Sequence, residues 1–288
     1  MTQPLQVQQA RPMPPISWKP VEENEKVAGY SFELKPRILT VQASERISAS
    51  MVRIRFSADD GFAGFPFVCP TDHIKLFFDQ TDAGQPVLPR LQDGRWSSRG
   101  LTFRDYTVRW FDAQQAYLDI DFVLHDHGVA GLWASRARVG DQLGALGPRG
   151  AFLIKDIFDW YVLGADETSL PALARWLEVL RPEVPVTAYI EVANRHSRIS
   201  LPTRADLSLH WLDRQDSPAG ESQLLPQAIL NHNYPNRDGF VWVAGEAMTI
   251  KPIRRWIKNE LKLERDHWDV DGYWRRGVSN HDHHTDQD

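Results

Sequence analysis

The stretch that decides the fold is residues 160–192, WYVLGADETSLPALARWLEVLRPEVPVTAYIEV. The apolar run at 160–163 predicts a strand, the segment at 170–180 a helix, and the run at 186–192 a second strand. Strands that alternate with helices are typical of a parallel sheet with crossover helices. The same alternation continues to the end of the chain, with a helix predicted at 224–231, a strand at 240–244, a basic helix at 249–261 and a last strand at 269–274.

The residues before this stretch follow a different pattern. Apolar side chains recur at every second position along 52–56, 74–78 and 118–124, which is the period of a half-buried strand. Turn dipeptides such as Asp60-Gly61 separate such runs. We therefore predict an antiparallel barrel with one short helix at 132–138. The predicted division of the chain is an N-terminal extension at 1–36, the barrel at 37–154, the α/β half at 155–278 and a mobile polar tail at 279–288.

Composition excludes several kinds of protein. The 288 residues carry a net charge of −5, which argues against a nucleic-acid partner, since that would need a concentrated basic face. Cys69 is the one cysteine, so the chain can form no internal disulfide, four-cysteine iron–sulfur cluster or cysteine-rich zinc site. An electron-transfer function would therefore need an organic cofactor. No apolar run reaches the roughly 20 residues needed to span a bilayer, and we expect a cytoplasmic protein without membrane insertion.

Residues 104–107, Arg-Asp-Tyr-Thr, place three useful side chains on one predicted strand. A guanidinium such as that of Arg104 can clamp a pyrophosphate, the Tyr106 phenol can lie against a flat ring, and the Thr107 hydroxyl can hydrogen-bond a ring nitrogen. Arg104 and Tyr106 would share one face of the strand, and Thr107 would turn to the other. The same four residues could equally form a half-exposed barrel strand with Tyr106 packed and Arg104 solvated.

A predicted strand at 121–125 runs into small residues that open a helix. Backbone N–H groups at such a helix start can approach an anion, and the helix dipole contributes about 0.3–1 kcal/mol. His125 and His127 could contact this anion or be satisfied by the surrounding protein. The residues that we expect to contact a cofactor here are Val123, Leu124, His125, Gly128, Ala130, Trp133 and Ala134.

These segments, together with 147–148, 166–172, 244–247 and 272–277, resemble the siderophore-interacting protein family over nearly the whole chain after residue 37. Members are FAD-containing ferric-siderophore reductases built like ferredoxin–NADP⁺ reductases. The resemblance implies a six-stranded antiparallel FAD-binding barrel followed by a five-stranded parallel-sheet nucleotide-binding domain. One departure is visible: the family usually has Gly-Pro-Ala-Ser before the Trp-Ala pair, where this chain has GVAG at 128–131. The missing serine removes one hydroxyl donor to phosphate.

The second half has no GxGxxG fingerprint, and its nucleotide site rests on the resemblance. Thr168 and nearby amides open a predicted helix and would face a nicotinamide dinucleotide, although a Thr168 helix cap beside acidic residues explains the same pattern. A glycine at 245 would admit the nicotinamide ring closely. The residues implied for this cofactor, NADPH or NADH, are Asp166, Glu167, Thr168, Ala244, Gly245 and Glu246.

Capture of a ferric siderophore needs positive charge, because many iron chelates are anionic. Lys251, Arg254, Arg255 and Lys258 have the spacing of one helix face, and Lys75 on a barrel strand is a second candidate. A solvated basic helix face is an equally good explanation. The tail histidines His281, His283 and His284 could bind a metal adventitiously, but we predict no ordered metal site.

The resulting expectation is an enzyme that passes electrons from NAD(P)H through FAD to chelated Fe(III). Two alternatives stay open: a general flavin-dependent reductase whose partner is an electron-carrier protein or free flavin, and a non-catalytic siderophore-binding module. The choice between NADH and NADPH is also open. Arg195 and Arg198, after the strand at 186–192, indicate a phosphate partner or merely solvated loop arginines.

Overall fold

The computed structural model describes residues 19–126 and 128–279, so that His127, the arm before residue 19 and the tail histidines lie outside the described residues. The first half of the described chain is dominated by strands. Its elements in chain order are β1 (Lys19–Glu23), β2 (Val27–Ser31), β3 (Pro36–Arg46), β4 (Met51–Ala58), β5 (His73–Phe77), β6 (Arg90–Gln92), β7 (Arg95–Ser97), β8 (Phe103–Thr107), β9 (Trp110–Asp112), β10 (Tyr117–Val123), α1 (Val129–Ala134), β11 (Gln142–Leu146) and β12 (Gly150–Ile154).

Seven of these strands form one antiparallel sheet in the order β8-β5-β11-β3-β4-β10-β9. The alternation predicted its inner face, since Ile54, Phe56, Ile120 and Phe122 are all fully buried. The two ends of the sheet come together, as shown by the Tyr106 ring of β8 and the Phe122 ring of β10, whose centroids are 4.4 Å apart. The antiparallel barrel is confirmed, with the three-residue β9 as a seventh strand beyond the six expected.

Two ion pairs join β4 and β10 across the strands. Arg53 lies opposite Asp121, and Arg55 lies opposite Asp119. Each pair is bidentate, with N···O distances of 2.6 and 2.8 Å for the first and 2.8 and 2.9 Å for the second. Both aspartates are only 3% exposed. The aspartates of the alternating pattern are therefore buried and paired rather than solvated.

The segment before residue 37 contributes two strands of its own. β1 pairs with β2, and β2 pairs with β12, to give a three-stranded sheet beside the barrel. The turn between β1 and β2 carries Lys26, whose Nζ contacts Nε2 of His267 in the second half of the chain. These residues therefore lie against the rest of the protein and contact both of its halves.

The second half contains a five-stranded parallel sheet in the order β15-β14-β13-β16-β17, which confirms the predicted α/β domain. β13 and β16 are buried along their whole length, as expected for the centre of a parallel sheet. The elements are β13 (Trp160–Ala165), α2 (Leu170–Val179), β14 (Pro185–Val192), β15 (Asp206–Asp213), α3 (Leu224–Leu230), β16 (Gly239–Glu246), α4 (Ala247–Trp256) and β17 (Trp268–Trp274), with 3₁₀ turns at Arg195–Ser197 and Arg265–His267 and a π-helical turn at Ile257–Leu261.

Two helices start earlier than predicted, and one strand of the parallel sheet was not predicted. The helix expected at 132–138 is α1, which starts directly after Gly128, where φ is +78°. The basic helix expected from 249 begins at Ala247, because the Glu246 carboxylate accepts the Thr249 N–H and caps it, and its last turn widens to a π-helix. β15 was not predicted, since an edge strand that alternates between half-buried and exposed side chains gives a weak apolar signal.

The parallel sheet has an apolar core on each face. Leu173 and Trp176 of α2 pack over one face, and Ile229 of α3 and Ile253 of α4 pack over the other. The longest of these helices, α2 and α4, have 10 residues each. Among the described residues, no helix has the length and apolarity that crossing a membrane requires.

Candidate functional site

A cleft of about 2990 Å³ runs along the boundary between the barrel and the parallel sheet. Strand β8, the end of β10 and the start of α1 line one side, and the loop at 166–171 and β17 line the other. Drug-sized ligands occupy pockets of roughly 300–1,000 Å³. The cleft therefore has room for a dinucleotide together with a second ligand.

Most of the residues predicted to bind a cofactor or substrate line this cleft. They come from strands and loops of both halves of the chain, so that the fold brings together segments far apart in sequence. They are Lys75, Arg104, Tyr106, Thr107, Val123, Leu124, His125, Gly128, Ala130, Asp166, Glu167, Thr168, Glu246 and Arg254.

Arg104, Tyr106 and Thr107 lie on β8 as the strand prediction required. Arg104 is half-buried, and its Nη1 donates to the carbonyl of Phe103 at 2.6 Å. Burial raises the pKa of the Tyr106 hydroxyl, so this side chain presents a neutral phenol. Thr107 is 7% exposed and lines the cleft, as does Tyr273 of β17 in the other half. β8 therefore contributes both a polar and an aromatic group to the cleft.

His125 packs over the small residues that open α1. A Cβ built on Gly131 would lie 2.9 Å from three atoms of the His125 ring, closer than real side chains approach. The imidazole therefore occupies the space that a side chain at position 131 would need.

Replacing Gly131 by Ser should weaken FAD binding about tenfold, since overpacking costs about 1–3 kcal/mol and the His125 ring must move. Combining this change with His125→Ala should restore much of the affinity. Fluorescence titration of the apoprotein with FAD measures both variants. Equal affinities for the single and the double variant would show that the ring and the glycine are not coupled.

Trp133 and Ala134 were predicted to contact the cofactor, but the structure turns them away from the cleft. Trp133 packs in the barrel core, with its ring centroid 6.2 Å from that of Phe56 and 5.8 Å from that of Phe122. Ala134 is 2% exposed in the same core. One face of α1 has to cover the barrel, and these two residues lie on it.

The carboxylate of Asp166 is hydrogen-bonded to other groups of the protein. Its Oδ1 accepts from the N–H and the hydroxyl of Thr168, at 2.8 and 2.6 Å, and its Oδ2 accepts from Nε1 of Trp274 at 2.7 Å. The residue that caps α2 is Ser169. Because Asp166 accepts the Thr168 N–H, this amide is not available to a dinucleotide as expected. The alternative, that Thr168 caps the helix, is also corrected, because the N-cap residue is Ser169.

Ala244 and Gly245 are also not part of the cleft wall. Ala244 is fully buried, and its carbonyl accepts from the Ser169 hydroxyl at 2.6 Å. A Cβ on Gly245 would lie 3.0 Å from Oδ2 of Asp166. The glycine predicted to admit a nicotinamide ring instead admits this carboxylate.

The two glutamates of the predicted nucleotide site are bound in the same way. Glu167 accepts from the Ala193 N–H and from Arg214, each at 2.7 Å, and so joins the ends of β13, β14 and β15. Glu246 accepts from the Thr249 N–H at 2.7 Å as the cap of α4. Both are 4% exposed. The hydrogen bonds of these two glutamates stabilise the edge of the parallel sheet at which the strands end.

Of the loop arginines, Arg198 pairs with Asp213 at 2.6 Å, and neither it nor Arg195 lines the cleft. Arg214, at the end of β15, does line it. The arginine nearest the predicted nucleotide edge is therefore one that the sequence did not single out.

The basic side chains divide into two groups. Lys75 lines the cleft, where its Nζ lies 2.9 Å from Oδ1 of Asp105 and 4.6 Å from the Phe103 ring centre. Arg254 also lines it and donates to the carbonyl of Val270. Lys251 and Arg255 do not belong to the cleft wall, because the turn of α4 carries them away from it.

Lys258, in the π-helical turn, lines the cleft together with Arg254 of the predicted basic face. Basic residues of the cleft wall that were not predicted as contacts include Arg149 in the turn before β12, and Arg275 and Arg276 after β17. The signal that could have found the last two is the run GYWRRG at 272–277, which the sequence analysis used only as a point of resemblance.

Strand β17 contributes Asp269, Asp271 and Tyr273 to the cleft wall. Burial raises the pKa of Asp269 to about 6, and repulsion by Asp271 adds to the effect. The carboxyl of Asp269 therefore stays protonated to a higher pH in the folded protein than in the unfolded chain.

Asp269→Asn should stabilise the protein at pH 8 by about 1–3 kcal/mol and leave it unchanged at pH 4. Because the folded-state pKa is raised, the favourable contribution of this carboxyl is present below about pH 4 and is lost as the pH rises through about 6. Urea unfolding at both pH values measures the difference. The exposed Asp206 is the control, and a similar gain in Asp206→Asn would contradict this explanation.

Residues 40–152 match the family model of the siderophore-interacting FAD-binding domain, and residues 158–277 match that of the siderophore-interacting protein. The NADPH-dependent ferric-chelate reductase of Escherichia coli is 33% identical, over 79% of this chain and 89% of that protein. The chain belongs to the siderophore-interacting protein family. The ferric vibriobactin reductase of Vibrio cholerae O1 is 29% identical to this siderophore-interacting protein, over 88% of the chain and 94% of that relative.

Among solved structures, a siderophore utilization protein from T. fusca is 42% identical and superposes with a TM-score of 0.84. The match covers 90% of this chain and all of that one. The family predicted from the sequence and its two-domain architecture are both confirmed.

The cleft of this siderophore-interacting protein fits FAD. It offers a guanidinium at Arg104, a hydroxyl at Thr107 and a neutral phenol at Tyr106, beside the open turn at Gly128. These groups suit a pyrophosphate, a ring nitrogen and a flat ring, respectively. FAD is therefore the cofactor of the barrel, as the matched family model also states.

Proposed function

We propose that this siderophore-interacting protein reduces ferric siderophores, with NADPH or NADH as the electron source and FAD as the carrier, and releases iron as Fe(II). The cleft carries the proposal, because β8 faces the carboxyl edge of the parallel sheet there and basic side chains line the same space. The names of the relatives from E. coli and V. cholerae, both ferric-chelate reductases, support it.

For FAD, we propose contacts from β8 and from the turn before α1. Arg104 would donate to the pyrophosphate, and Tyr106 and Thr107 would orient the ring system. Val123, Leu124, His125, Gly128 and Ala130 would complete the wall. When bound, FAD accepts a hydride and passes its electrons on singly, which matches a two-electron donor to a one-electron acceptor.

The nicotinamide dinucleotide would bind at the edge between β13 and β16, because the strand order reverses there. Asp166, Glu167 and Glu246 would shape this edge through their internal hydrogen bonds. Contacts to the dinucleotide would then come from Thr168 and Arg214, which both line the cleft at this edge.

The ferric chelate would bind at the basic part of the cleft wall. Lys75, Arg254 and Arg149 would attract an anionic chelate, and Arg275 and Arg276 lie on the same wall. Fe(II) binds hard oxygen ligands more weakly than Fe(III), so reduction itself promotes release. No side chain has to act as a nucleophile or general acid.

The test is anaerobic reduction of the holoprotein by NADPH and by NADH, followed by mixing with ferric catecholate and ferric hydroxamate chelates. We expect the flavin absorbance to bleach with the nicotinamide and to return with the chelate, while an Fe(II)-binding dye records the product. Arg149→Ala should raise the KM for an anionic chelate several-fold at low salt and leave bleaching unchanged.

Two results would contradict this function and favour one of the alternatives. Faster reoxidation by a ferredoxin-type protein or by free flavin than by any chelate would favour a general flavin-dependent reductase. A purified protein that stays colourless after FAD addition would favour a siderophore-binding module. The proposal includes a cytoplasmic location, supported by the expected use of NADPH or NADH.

A further inference from the structure

Helix α2 contacts the barrel through two charged side chains one turn apart. Glu178 accepts both ends of the Arg109 guanidinium, at 3.0 Å from Nη1 and 2.5 Å from Nη2. Arg109 lies in the turn between β8 and β9 and is 6% exposed. A bidentate ion pair therefore joins the nucleotide-binding half to the end of the strand that carries Tyr106 and Thr107.

This pair is continuous with the ion pair inside the barrel. Nε of Arg109 lies 3.8 Å from Oδ2 of Asp121, which also holds Arg53. Burial alone would lower the pKa of Arg53, but the hydrogen bonds and attraction of Asp121, with a smaller contribution from Glu178, raise it. Asp121 itself lines the cleft. A continuous set of charged groups therefore extends from the domain boundary to the wall of the cleft.

Arg175, on the same side of α2, makes a second contact. Its guanidinium carbon lies 3.6 Å from the centre of the Phe67 ring. Burial lowers the pKa of Arg175 to about 10, against the attraction of Asp72. Asp72 is 1% exposed, and its carbonyl accepts the Val108 N–H at 2.8 Å. The two barrel loops that meet α2 are therefore bonded to each other.

α2 begins at the loop 166–171, which forms the nucleotide wall of the cleft. Its two charged contacts fix both the translation and the rotation of the helix relative to β8. Hydride transfer requires the reacting atoms to be about 3–3.5 Å apart, and an error of 1 Å can cost on the order of 100-fold in rate.

We propose that Glu178 and Arg175 are positioning residues that hold the nucleotide edge at the distance from the flavin that hydride transfer needs. The inference rests on the proposed function for its catalytic consequence. We call these contacts the clamp: the Glu178–Arg109 ion pair, and Arg175 with Phe67 and Asp72. The clamp acts through α2 and touches neither cofactor.

The test is Glu178→Gln, which keeps the side-chain shape and removes the charge. We expect flavin reduction by the nicotinamide to slow on the order of 10- to 100-fold, with FAD content retained. Reoxidation of dithionite-reduced flavin by a ferric chelate should change much less, because that step does not require the nicotinamide to be aligned with the flavin. In the apoprotein, amide hydrogen exchange should increase at 67–72 and 107–109. Glu178→Asp should give an intermediate rate.

Asp213→Asn is the matched control, because it breaks the Arg198–Asp213 pair, which lies within one domain and is more exposed. It should leave the reduction rate and the exchange unchanged. A wild-type rate and wild-type exchange in Glu178→Gln would overturn the clamp. If the wild-type flavin is not reduced by either nicotinamide, the proposed function fails, and hydrogen exchange alone still decides whether the clamp exists.

Discussion

The Asp121→Ala variant should lose about 3–5 kcal/mol of folding free energy, the usual cost of leaving a buried charge without its partner. The Asp121 carboxylate is fully buried and binds Arg53 at 2.6 and 2.8 Å, with Arg109 beyond it at 3.8 Å. Removing it leaves two guanidinium groups against each other at the domain boundary. Urea unfolding followed by tryptophan fluorescence measures the loss.

Asp119→Ala on the same strand is the matched control. Asp119 also makes a bidentate pair, but its partner Arg55 is 41% exposed and lies over the Tyr117 ring at 3.7 Å. Arg55 can therefore be hydrated when the carboxylate is removed, and the expected loss is about 1 kcal/mol or less. Similar losses in the two variants would show that the connection to Arg109 does not matter.

Arg104→Ala should weaken FAD binding about 10- to 100-fold. A hydrogen bond to a charged group contributes about 1.5–3 kcal/mol, and each 1.4 kcal/mol is a factor of ten in affinity. Arg104 lies on the cleft wall and is half-buried, so its guanidinium is partly shielded from water before the cofactor arrives. Flavin retained after dialysis, and titration of the apoprotein, measure the change.

Arg99→Ala provides the comparison, because Arg99 is exposed and is not part of the cleft wall. Its loss should leave FAD affinity within about twofold of the wild type. Undiminished flavin occupancy in Arg104→Ala would place the pyrophosphate elsewhere in the cleft. Equal weakening in both variants would indicate a general effect of surface charge.

Secondary structure was predictable where it depends on neighbours in the chain. The alternation along β4 and β10, and the strand–helix–strand order at 160–192, are local patterns set by the side-chain periods of strands and helices. Helix ends were less predictable. The start of α4 depends on the Glu246 cap, and the start of α1 on the positive φ of Gly128.

The strand that carries Arg104, Tyr106 and Thr107 was predictable for the same reason. Arg104, Tyr106 and Thr107 fall within four residues, so their chemistry could be interpreted before any fold was known. The carboxylates could not be interpreted in this way. Asp166 is bound by Trp274, 108 positions away, and Glu167 by Arg214, 47 positions away. A carboxylate that appears available in the sequence is therefore already bound in the fold.

By itself, the sequence determined the order of a barrel and an α/β half through its periodicity, and the family through its resemblance to known motifs. Only the tertiary structure decided which charges remain available in the cleft and which hold the two halves together. The physical reason is that a buried ion pair such as Arg109–Glu178 joins residues 69 positions apart. Its geometry exists only after the barrel has closed and α2 has packed against it.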